Sequence, residues 1–392
     1  MRIAQVSPLY EPVPPRTYGG TERVVAYLTE ELVRLGHDVT LFASGDSVTP
    51  AVLEPACPRA LRLDPSCRDR IAPHVRMLGR VYARADRFDI IHCHTDYLSL
   101  PLSRDCGIPT VVTLHGRLDL PEVVSVFEDY PNAPLVSIST AQRAPMNGVR
   151  WAGTVHHGLP AGLYSFRRER GDYLLFLGRI APEKRPDSAI RVAIRARVPL
   201  LIAAKVDAVD LAYFESVVRP LLDHPLVRFI GEVDERAKND LLGRARALLF
   251  PIDWPEPFGL AMIEALACGT PVIARRRGSV PEVLSHGRTG LICESEDEMV
   301  AAVRRIDQID RADCRREFEG RFTAAAMARG YLGIYEAVLA ERRIESAVRI
   351  PVARARQPLD IAGAPATGGT TSWSTPGRAP WSGRDTSTLP RS

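Results

Sequence analysis

Several features that mark specialised classes of protein are missing from this sequence. It holds no run of 18 or so apolar residues, so we expect no membrane-spanning helix. The first residues, "MRIAQVSPLYEP", have none of the long apolar stretch that a signal peptide carries. The seven cysteines are scattered singly, without a CxxC pair or the spacing of a metal site. We therefore expect reduced thiols and a cytoplasmic location.

Charges of the two signs are nearly balanced, and aromatic residues are few. The net charge of +4 is mild for 392 residues and does not point to nucleic acid as a partner. Peripheral membrane contact through a local basic face is left open. With 45% hydrophobic and 25% charged residues, the composition is typical of a soluble globular protein. The length allows two domains, each with a core of its own.

The first part of the chain reads as strand, glycine-containing loop, helix and strand. An apolar strand, "RIAQVSP", leads through the loop to "TERVVAYLTEELVRLG", whose apolar residues recur at helical spacing. Thr21 is placed to cap this helix and Gly36 to end it. The strands predicted after it, "HDVTLFAS", "FDIIHCH", "PTVVTLHG", "LVSIST" and "GTVHHG", are almost continuously apolar. That pattern favours parallel strands covered on both faces.

A second series of strands and helices begins after the polar stretch of residues 161–173. It runs from the strand "YLLFLGR" to the helix "SEDEMVAAVRRI" and predicts a second doubly wound α/β unit. We predict one domain at residues 1–165, a second at 166–318 and C-terminal helices at 319–348. Residues 351–392, rich in Pro, Gly, Ser, Thr and Arg, are predicted to form a disordered tail.

Two glycines stand where such sheets bind their ligands. Open parallel sheets bind beyond the carboxyl ends of their strands, in loops that enter helix N-termini. Gly19 and Gly20 lie just before the first helix, and without a Cβ they let an anion approach its unpaired amides. The alternative interpretation is an ordinary flexible loop.

Two cations stand at the end of a strand in "LGRIAPEK". Arg179 follows the apolar run directly, and Lys184 comes five residues later across a loop that contains Pro182. Together they can neutralise a diphosphate without a metal and stabilise the charge that grows as a phosphate leaves. The alternative is a solvated pair that contacts surface carboxylates.

Two carboxylates stand eight residues apart in "EPFGLAMIEAL". Glu256 precedes a helix, where the helix dipole stabilises a carboxylate by up to about 1 kcal/mol. Glu264 lies deeper in the helix, among apolar residues, and needs a hydroxyl or cation partner. With the amides of Phe258, Gly259 and Leu260 beside them, the two acids suit the hydroxyl groups and the phosphate of a sugar nucleotide.

In combination these motifs resemble the retaining glycosyltransferases of family 4. The spaced pair of acids, "LGRIAPEK", "YGGTER", "TLHG", "SIST", "VHHGLP", "GSVPEVL" and "GRTGLIC" occur in the order that this family shows. The resemblance covers roughly residues 1–340. It implies the GT-B architecture, in which two Rossmann-like α/β domains face each other across a cleft. It also implies that the C-terminal helices cross back to the first domain.

For the second domain the resemblance implies a site for a sugar donor. Arg179 and Lys184 match the pair that binds the donor diphosphate and stabilises the leaving nucleotide. Glu256 matches the acid that contacts hydroxyl groups of the donor sugar, with the backbone of Phe258 and Gly259 beside it. These matches make the two cations and Glu256 the predicted catalytic residues of this domain.

Further residues complete the implied site. Glu264 matches the acid that binds the ribose hydroxyls, and the amide of Gly20, in the Gly19–Gly20 loop, matches the one that approaches the phosphate. His115, in "TLHG", matches a histidine of the first domain that reaches the donor sugar, and it is predicted to be catalytic. Lys205 is assigned to the donor phosphates as well, although Ala204 stands where many members of the family have glycine.

The implied reaction is front-face transfer of a sugar with retention of configuration, without a metal or other cofactor. The donor is a nucleoside-diphosphate sugar, with UDP-glucose as the starting assumption, and the enzyme would be a hexosyltransferase. The acceptor, whether a small molecule, a glycan or a lipid, has no readable signature in the first domain.

Other interpretations are distinguished by what they would need. A glycoside hydrolase needs two carboxylates that flank one bond. A sugar-nucleotide epimerase would consume its donor without an acceptor, and a non-catalytic nucleotide-sugar-binding protein would lose the transfer chemistry. The presence of His115 with Arg179 and Lys184 weighs against the binding protein. A dinucleotide-dependent oxidoreductase would have GxGxxG after its first strand, which "SPLYEPVPPRTYGG" lacks.

Overall fold

Two parallel β-sheets, one after the other along the chain, form the framework of the molecule. The computed structural model describes the backbone of residues 1–16 and 19–353, with the side chains of these ranges up to residue 344. Residues Met1–Glu345 form one compact unit that contains both sheets. The two sheets confirm the predicted pair of doubly wound α/β units. Below, the first lobe is the first sheet with its helices, and the second lobe is the second sheet with its helices.

The first sheet consists of β1 (Arg2–Val6), β2 (Asp38–Ser44), β3 (Val52–Cys57), β4 (Ile90–Cys93), β5 (Thr110–Thr113), β6 (Leu135–Ser137) and β7 (Trp151–Thr154). Its strands are parallel and stand in the order β3-β2-β1-β4-β5-β6-β7. The central strands β4 and β5 are buried throughout, as their continuous apolar runs require. The strand order reverses between β1 and β4, so the loops after these strands diverge and open a crevice.

The second sheet repeats this plan with six parallel strands. They are β8 (Leu174–Ile180), β9 (Leu200–Val206), β10 (Val227–Gly231), β11 (Ala247–Phe250), β12 (Val272–Arg275) and β13 (Gly290–Cys293). Their order is β10-β9-β8-β11-β12-β13, so the reversal lies between β8 and β11. The loops that carry Arg179 with Lys184 and Glu256 with Gly259 follow these two strands.

Helices connect the strands and cover the sheets. The first lobe has α1 (Gly20–Arg34), α2 (Ala72–Tyr82), α3 (Leu100–Ser103) and α4 (Pro121–Glu128). The second has α5 (Pro186–Ala196), α6 (Leu211–Tyr213), α7 (Glu235–Arg244), α8 (Leu260–Ala267), α9 (Val280–Val283), α10 (Glu296–Arg305) and α11 (Arg311–Arg321), and the last helix is α12 (Ala324–Ala353). No helix within residues 1–16 and 19–353 is long and apolar enough to cross a membrane.

Two details of the first lobe differ from the prediction. Strand β3 was not predicted because Pro55 interrupts its apolar pattern, and proline is tolerated there because β3 is an edge strand. Thr21 does not cap α1. The amide of Arg23 already donates to the Gly19 carbonyl at 3.1 Å, so the helix begins at Gly20 and Thr21 lies inside it.

The C-terminal helices meet at a break that contacts the linker between the sheets. Between α11 and α12, the Phe322 carbonyl accepts from the Leu159 amide at 2.9 Å, and the Ala324 amide donates to the Leu159 carbonyl at 2.7 Å. α12 then places Tyr331 and Tyr335, both fully buried, against the first sheet. The predicted tail of residues 351–392 lies outside the described residues, apart from the last three residues of α12.

Glu282 in α9 connects the two lobes directly. Its carboxylate accepts the amides of Thr140 at 2.8 Å and Ala141 at 2.7 Å, both in the first lobe. Burial alone would raise the pKa of Glu282, but hydrogen bonds from His156, Thr140 and Ala141 outweigh it and lower the pKa to about 2. The contact therefore persists as a charged one throughout the neutral range.

Candidate functional site

A cleft of about 640 Å³ lies where the carboxyl ends of the two sheets face each other. Every residue predicted for the site lines it: Gly19, Gly20, His115, Arg179, Lys184, Lys205, Glu256, Phe258, Gly259, Leu260 and Glu264. These residues come from the carboxyl ends of β8 and β9, from loops after β5, β8 and β11, from the start of α1 with the loop before it, and from α8. Two separate topological reversals thus supply the walls of one cavity, as expected for paired doubly wound sheets.

Arg179 is surrounded by carboxylates at the end of β8. It pairs with Glu183 at 2.6 Å, with Asp210 at 3.5 Å and with Asp207 at 3.9 Å. Lys205, at the end of the neighbouring strand β9, pairs with the same Asp207 at 3.0 Å. The acids hold both cations in the cleft, and an incoming diphosphate would compete with them for the same charges.

Lys184 contacts the predicted sugar-binding acid itself. Its ammonium forms an ion pair with Glu256 and lies 4.9 Å from the centre of the Trp254 ring. The Trp254 indole N–H donates to the same carboxylate oxygen at 2.8 Å. Glu256 is only 7% exposed, so this pair is largely withdrawn from bulk water, where charge-assisted hydrogen bonds are strong.

The loop after β11 places Glu256 by close backbone packing. The Ser279 amide donates to the Glu256 carbonyl at 2.9 Å, and a Cβ on Gly278 would overlap the Glu256 backbone. Gly259 has φ +82°, in the left-handed region that favours glycine, and it immediately precedes α8. The Phe258 carbonyl accepts from the Ser279 hydroxyl at 2.8 Å. These contacts fix the amides at the start of α8 beside the carboxylate of Glu256.

Glu264 has the cation partner that its buried position requires. The Lys238 ammonium lies 2.8 Å from the Glu264 carboxylate and 3.1 Å from Glu235. Glu235 in turn forms an ion pair with Arg23 of the first lobe and accepts from the Tyr164 hydroxyl. A string of alternating charges therefore runs from the second lobe to the start of α1, beside the site.

The Gly19–Gly20 loop approaches the second lobe at the start of α8. A Cβ on Gly20 would stand 3.6 Å from the Leu260 side chain, an ordinary contact distance. A Cβ on Gly19 would stand 2.7 Å from Pro15, closer than side chains tolerate. Gly19 is therefore required by packing, whereas Gly20 brings the first-lobe backbone within reach of the donor loop.

His115 has a defined proton position, set by its neighbours. His115 Nε2 lies 2.8 Å from His94 Nδ1, and His94 Nε2 lies 2.8 Å from the side-chain oxygen of Gln5. That oxygen can only accept, so His94 holds its proton on Nε2 and its Nδ1 accepts from His115. Burial lowers the pKa of His115 to about 3 and the pKa of His94 well below its usual value, so each ring carries one proton. His115 Nδ1 is left as an acceptor.

The same chain of hydrogen bonds continues to α12. The Gln5 amide nitrogen donates to the Tyr335 hydroxyl at 3.1 Å, and that hydroxyl lies 2.7 Å from His92 Nδ1. His92 Nε2 lies 2.7 Å from the Thr113 hydroxyl. All of these side chains are fully buried. The orientation of His115 therefore depends on the packing of the C-terminal helix beneath the first sheet.

Several cleft residues were missed by the sequence analysis. Lys238 carried a usable signal, because it shares a face of α7 with Leu242 and Ala245, where a lysine needs a buried partner. Asp96 and Glu22 carried none, since their positions in the cleft depend on how the lobes meet. Within the described ranges, no group of three His, Cys, Asp or Glu residues has the geometry to hold a metal ion.

Comparisons with known proteins agree with this geometry. The sequence model of "Glycosyltransferase Family 4" matches residues 18–209, and that of "Glycosyl transferases group 1" matches residues 165–320. The two matches overlap and together span residues 18–320.

Individual relatives match along most of their length. A glycogen synthase of Mycobacterium tuberculosis is 28% identical, with 85% of this chain and 94% of the relative covered. A phosphatidyl-myo-inositol mannosyltransferase of Mycolicibacterium smegmatis is 27% identical, with 86% and 94% covered. The crystal structure of AviGT4, a glycosyltransferase of avilamycin A biosynthesis, superposes with a TM-score of 0.67 at 25% identity, over 87% of this chain and 98% of AviGT4.

Proposed function

The chain belongs to the family 4, group 1 glycosyltransferases, with the GT-B fold, and we propose that it transfers a hexose with retention of configuration. The donor is a nucleoside-diphosphate sugar, with UDP-glucose as the first candidate, and the acceptor presents a hydroxyl group. One observation carries the proposal: Arg179, Lys184, Glu256 and Glu264 converge on a single cleft beside the first-lobe amides and His115.

The cleft supplies a partner for each part of such a donor. Arg179 and Lys184 are the cations for the diphosphate, and the amides near Gly20 approach from the opposite lobe. Glu264, beside the Lys238 ammonium, is positioned for the ribose hydroxyls, which can donate to its carboxylate. Glu256 is the acceptor for hydroxyls of the transferred sugar. On binding, the diphosphate replaces Glu256 as the partner of Lys184 and releases the carboxylate for the sugar.

The proposed chemical step is a front-face transfer. The bond between the sugar's anomeric carbon and the diphosphate oxygen breaks, and the acceptor oxygen bonds to that carbon on the same face. The departing phosphate oxygen takes the acceptor's proton, so no protein nucleophile or separate base is needed. Arg179 and Lys184 stabilise the charge that develops on the diphosphate, which is the reason to propose transfer without a metal.

A donor panel tests the proposal. Thermal-shift and calorimetric binding of UDP, GDP and ADP sugars should identify the donor, and mass spectrometry of product mixtures should then detect the transferred hexose. NMR of the product's anomeric proton reports whether configuration is retained. Activity that survives EDTA supports metal-independent transfer, whereas loss that Mg²⁺ or Mn²⁺ restores contradicts it.

The same panel separates the rival functions. An epimerase would convert the donor without any acceptor, and a binding protein would bind the donor without consuming it. Release of free sugar from a glycoside in the absence of nucleotide would indicate a hydrolase.

A further inference from the structure

The first-lobe wall of the cleft contains a built polar surface of which the donor site uses only His115. It is formed by the loops after β1 and β4, where the strand order of the first sheet reverses. Tyr10 follows β1, and the consecutive residues Thr95, Asp96 and Tyr97 follow β4. These loops stand in the first sheet where the donor loops stand in the second, so they face the donor across the cleft.

Three buried polar atoms on this wall, the Thr95 hydroxyl oxygen and the Nδ1 atoms of His115 and His157, have no protein partner among the described residues. Thr95 is 5% exposed and its hydroxyl makes no hydrogen bond, and His115 Nδ1 accepts none. Buried polar groups in folded proteins are nearly always paired, so unpaired ones in a ligand cleft indicate a polar ligand. His115 Nδ1 can only accept, whereas the Thr95 hydroxyl can donate or accept. Both are suited to hydroxyl groups.

The surrounding structure holds the backbone of Asp96 in an unfavourable conformation. Its φ of +48° lies in the left-handed region, which is unfavourable for a residue with a Cβ. The side chain is reached from inside the cleft, yet the surrounding walls desolvate the carboxyl and raise its pKa to about 6, against an opposing hydrogen bond from the His115 amide. The Tyr97 ring beside it is 38% exposed and is supported edge-on by Phe127 at 6.4 Å.

Each of the two arginines that line this wall is paired with a carboxylate. Arg62 forms an ion pair with Glu11 at 3.3 Å and lies over the Tyr10 ring. Arg23 forms an ion pair with Glu235 of the second lobe. Within the described ranges, the other two charged first-lobe residues that line the cleft are carboxylic acids: Asp96, and Glu22, whose pKa burial raises to about 7.

The histidines of this wall do not supply positive charge either. Burial lowers the pKa of His74, His94, His115 and His157, so all four rings are neutral near pH 7. An acceptor that carries a phosphate or carboxylate would therefore lose water without gaining a cation, and it would approach two carboxyls.

We propose that this wall selects an uncharged polyhydroxylated acceptor, such as the end of a neutral glycan, whose hydroxyls meet Asp96, Thr95 and His115 and whose ring lies against Tyr97. The wall should discriminate against acceptors that carry a phosphate or carboxylate. The inference rests on the proposed glycosyl transfer and names the acceptor class for it.

Matched pairs of probes test the charge selectivity. Glucose is compared with glucose 6-phosphate, and myo-inositol with inositol 3-phosphate; maltotriose represents a glycan end. Saturation-transfer NMR measures binding in the presence of the nucleoside diphosphate that the donor panel identifies. That nucleotide occupies Arg179 and Lys184, so a probe's phosphate can meet only the first-lobe wall.

The expected result is at least tenfold tighter binding of the neutral member of each pair. Tighter binding of the phosphorylated members overturns the proposal. So does the failure of all neutral probes, maltotriose included, to bind at millimolar concentration.

Asp96→Asn tests the residue that carries the assignment. It should lower kcat/KM for the neutral acceptor roughly 10- to 100-fold, because a hydroxyl loses a charged partner. It should also reduce the discrimination against the phosphorylated partner. Asp105→Asn, the same change at an exposed first-lobe position outside the cleft, is the control and should leave both unchanged. Thermal unfolding and the donor Kd show whether the Asp96 variant is folded.

The two proposals fail in different ways. If no nucleotide sugar binds or is consumed, the proposed transfer is wrong and the acceptor assignment falls with it. If the donor binds and is consumed but the Asp96 variant matches the wild type with a neutral acceptor, only the acceptor assignment is wrong.

Discussion

The polar groups of the two cleft walls are partnered in different ways. In the second lobe, Arg179, Lys184 and Glu264 each contact a residue of opposite charge. In the first lobe, His115 belongs to a chain of neutral buried groups that ends in unpaired polar atoms. Under the two proposals, the charged donor replaces existing ion-pair partners in the second lobe, and the neutral acceptor meets desolvated hydrogen-bonding atoms in the first. Substitutions on the two walls should therefore differ in kind as well as size.

The largest expected effect is on the second-lobe wall. Lys184→Ala removes the cation nearest the sugar-binding acid and leaves Glu256 with only the Trp254 N–H. We expect kcat to fall about 10²- to 10³-fold, as when one electrostatic stabiliser of a transition state is lost. Steady-state kinetics with the identified donor provide the measurement, with Arg228→Ala, an exposed cation of the same lobe, as the control. Turnover close to wild type would remove Lys184 from the mechanism.

The buried histidines of the first lobe should make the stability of the protein depend on pH. Burial holds the folded-state pKa of His92 well below its usual value near 6.5, so below pH 6.5 the unfolded chain binds a proton that the folded chain does not. Stability is thus fully present above pH 6.5 and falls as the pH drops below it, by about 1.4 kcal/mol per pH unit for each such histidine.

Denaturant unfolding between pH 7 and pH 5 measures this slope. His92→Asn should reduce it by about 1.4 kcal/mol per pH unit, whatever its effect on stability at pH 7. His286→Asn, at an exposed second-lobe position, should not. An unchanged slope in the His92 variant would mean that His92 is protonated in the folded protein.

A smaller effect is expected for Glu264, the acid proposed to bind the ribose hydroxyls. Glu264→Gln keeps the shape of the side chain but weakens its bond with Lys238 and with the nucleotide's hydroxyls. We expect the nucleotide Kd to rise about 10-fold with little change in kcat, because this contact is made equally before and during the reaction. Calorimetry measures the Kd, and Glu215→Gln on an exposed face serves as the control. A fall in kcat at unchanged Kd would assign Glu264 to the chemical step instead.

The smallest effect should come from the backbone beside Lys184. Arg185 has φ +54°, which is unfavourable for a non-glycine residue, but its guanidinium pairs with Asp187 at 3.1 Å and Asp253 at 3.2 Å. Arg185→Gly relieves the strain as it loses the pairs, so the free energy of unfolding should change by less than about 1 kcal/mol. Arg185→Ala loses the pairs and keeps the strain, so its free energy of unfolding should be about 1 kcal/mol lower than that of Arg185→Gly. Equal stability of the two variants would show that φ at this position is not a source of strain.

The sequence predicted local features well and long-range ones poorly. Gly36 ends α1 as predicted, with φ +83°, because the signal lies in one residue and its neighbours. Leu35, the last apolar residue of the pattern that predicted α1, is 41% exposed, since periodicity cannot say where a buried stripe ends. The break between α11 and α12 has one local signal, the Thr323 hydroxyl, which accepts from the Ala326 amide at 3.2 Å and caps α12. Its position also depends on Leu159, far away in the chain.

For the candidate site, too, the sequence predicted local features better than long-range contacts. Arg179, Lys184, Glu256 and Glu264 stand in short motifs at strand ends, and topology alone brings such motifs together. Lys205 lines the cleft as well, despite the Ala204 that precedes it. The pairing of Lys184 with Glu256 was not predictable, since it needs the relative positions of two loops. The tautomer of His115 was not predictable either, because it is set through His94 by Gln5, which is more than 100 residues away in the sequence.

The path of α12 makes the first lobe discontinuous in sequence. Tyr331 and Tyr335 complete the underside of a sheet whose last strand ended at Thr154, and Ile334 fills the space that Gly153 leaves free. A fragment that stops after β7 would expose His92 and Gln5 to solvent and lack their hydroxyl partners. Separate expression of this half of the enzyme therefore requires that residues 324–344 be supplied in trans or grafted on by circular permutation.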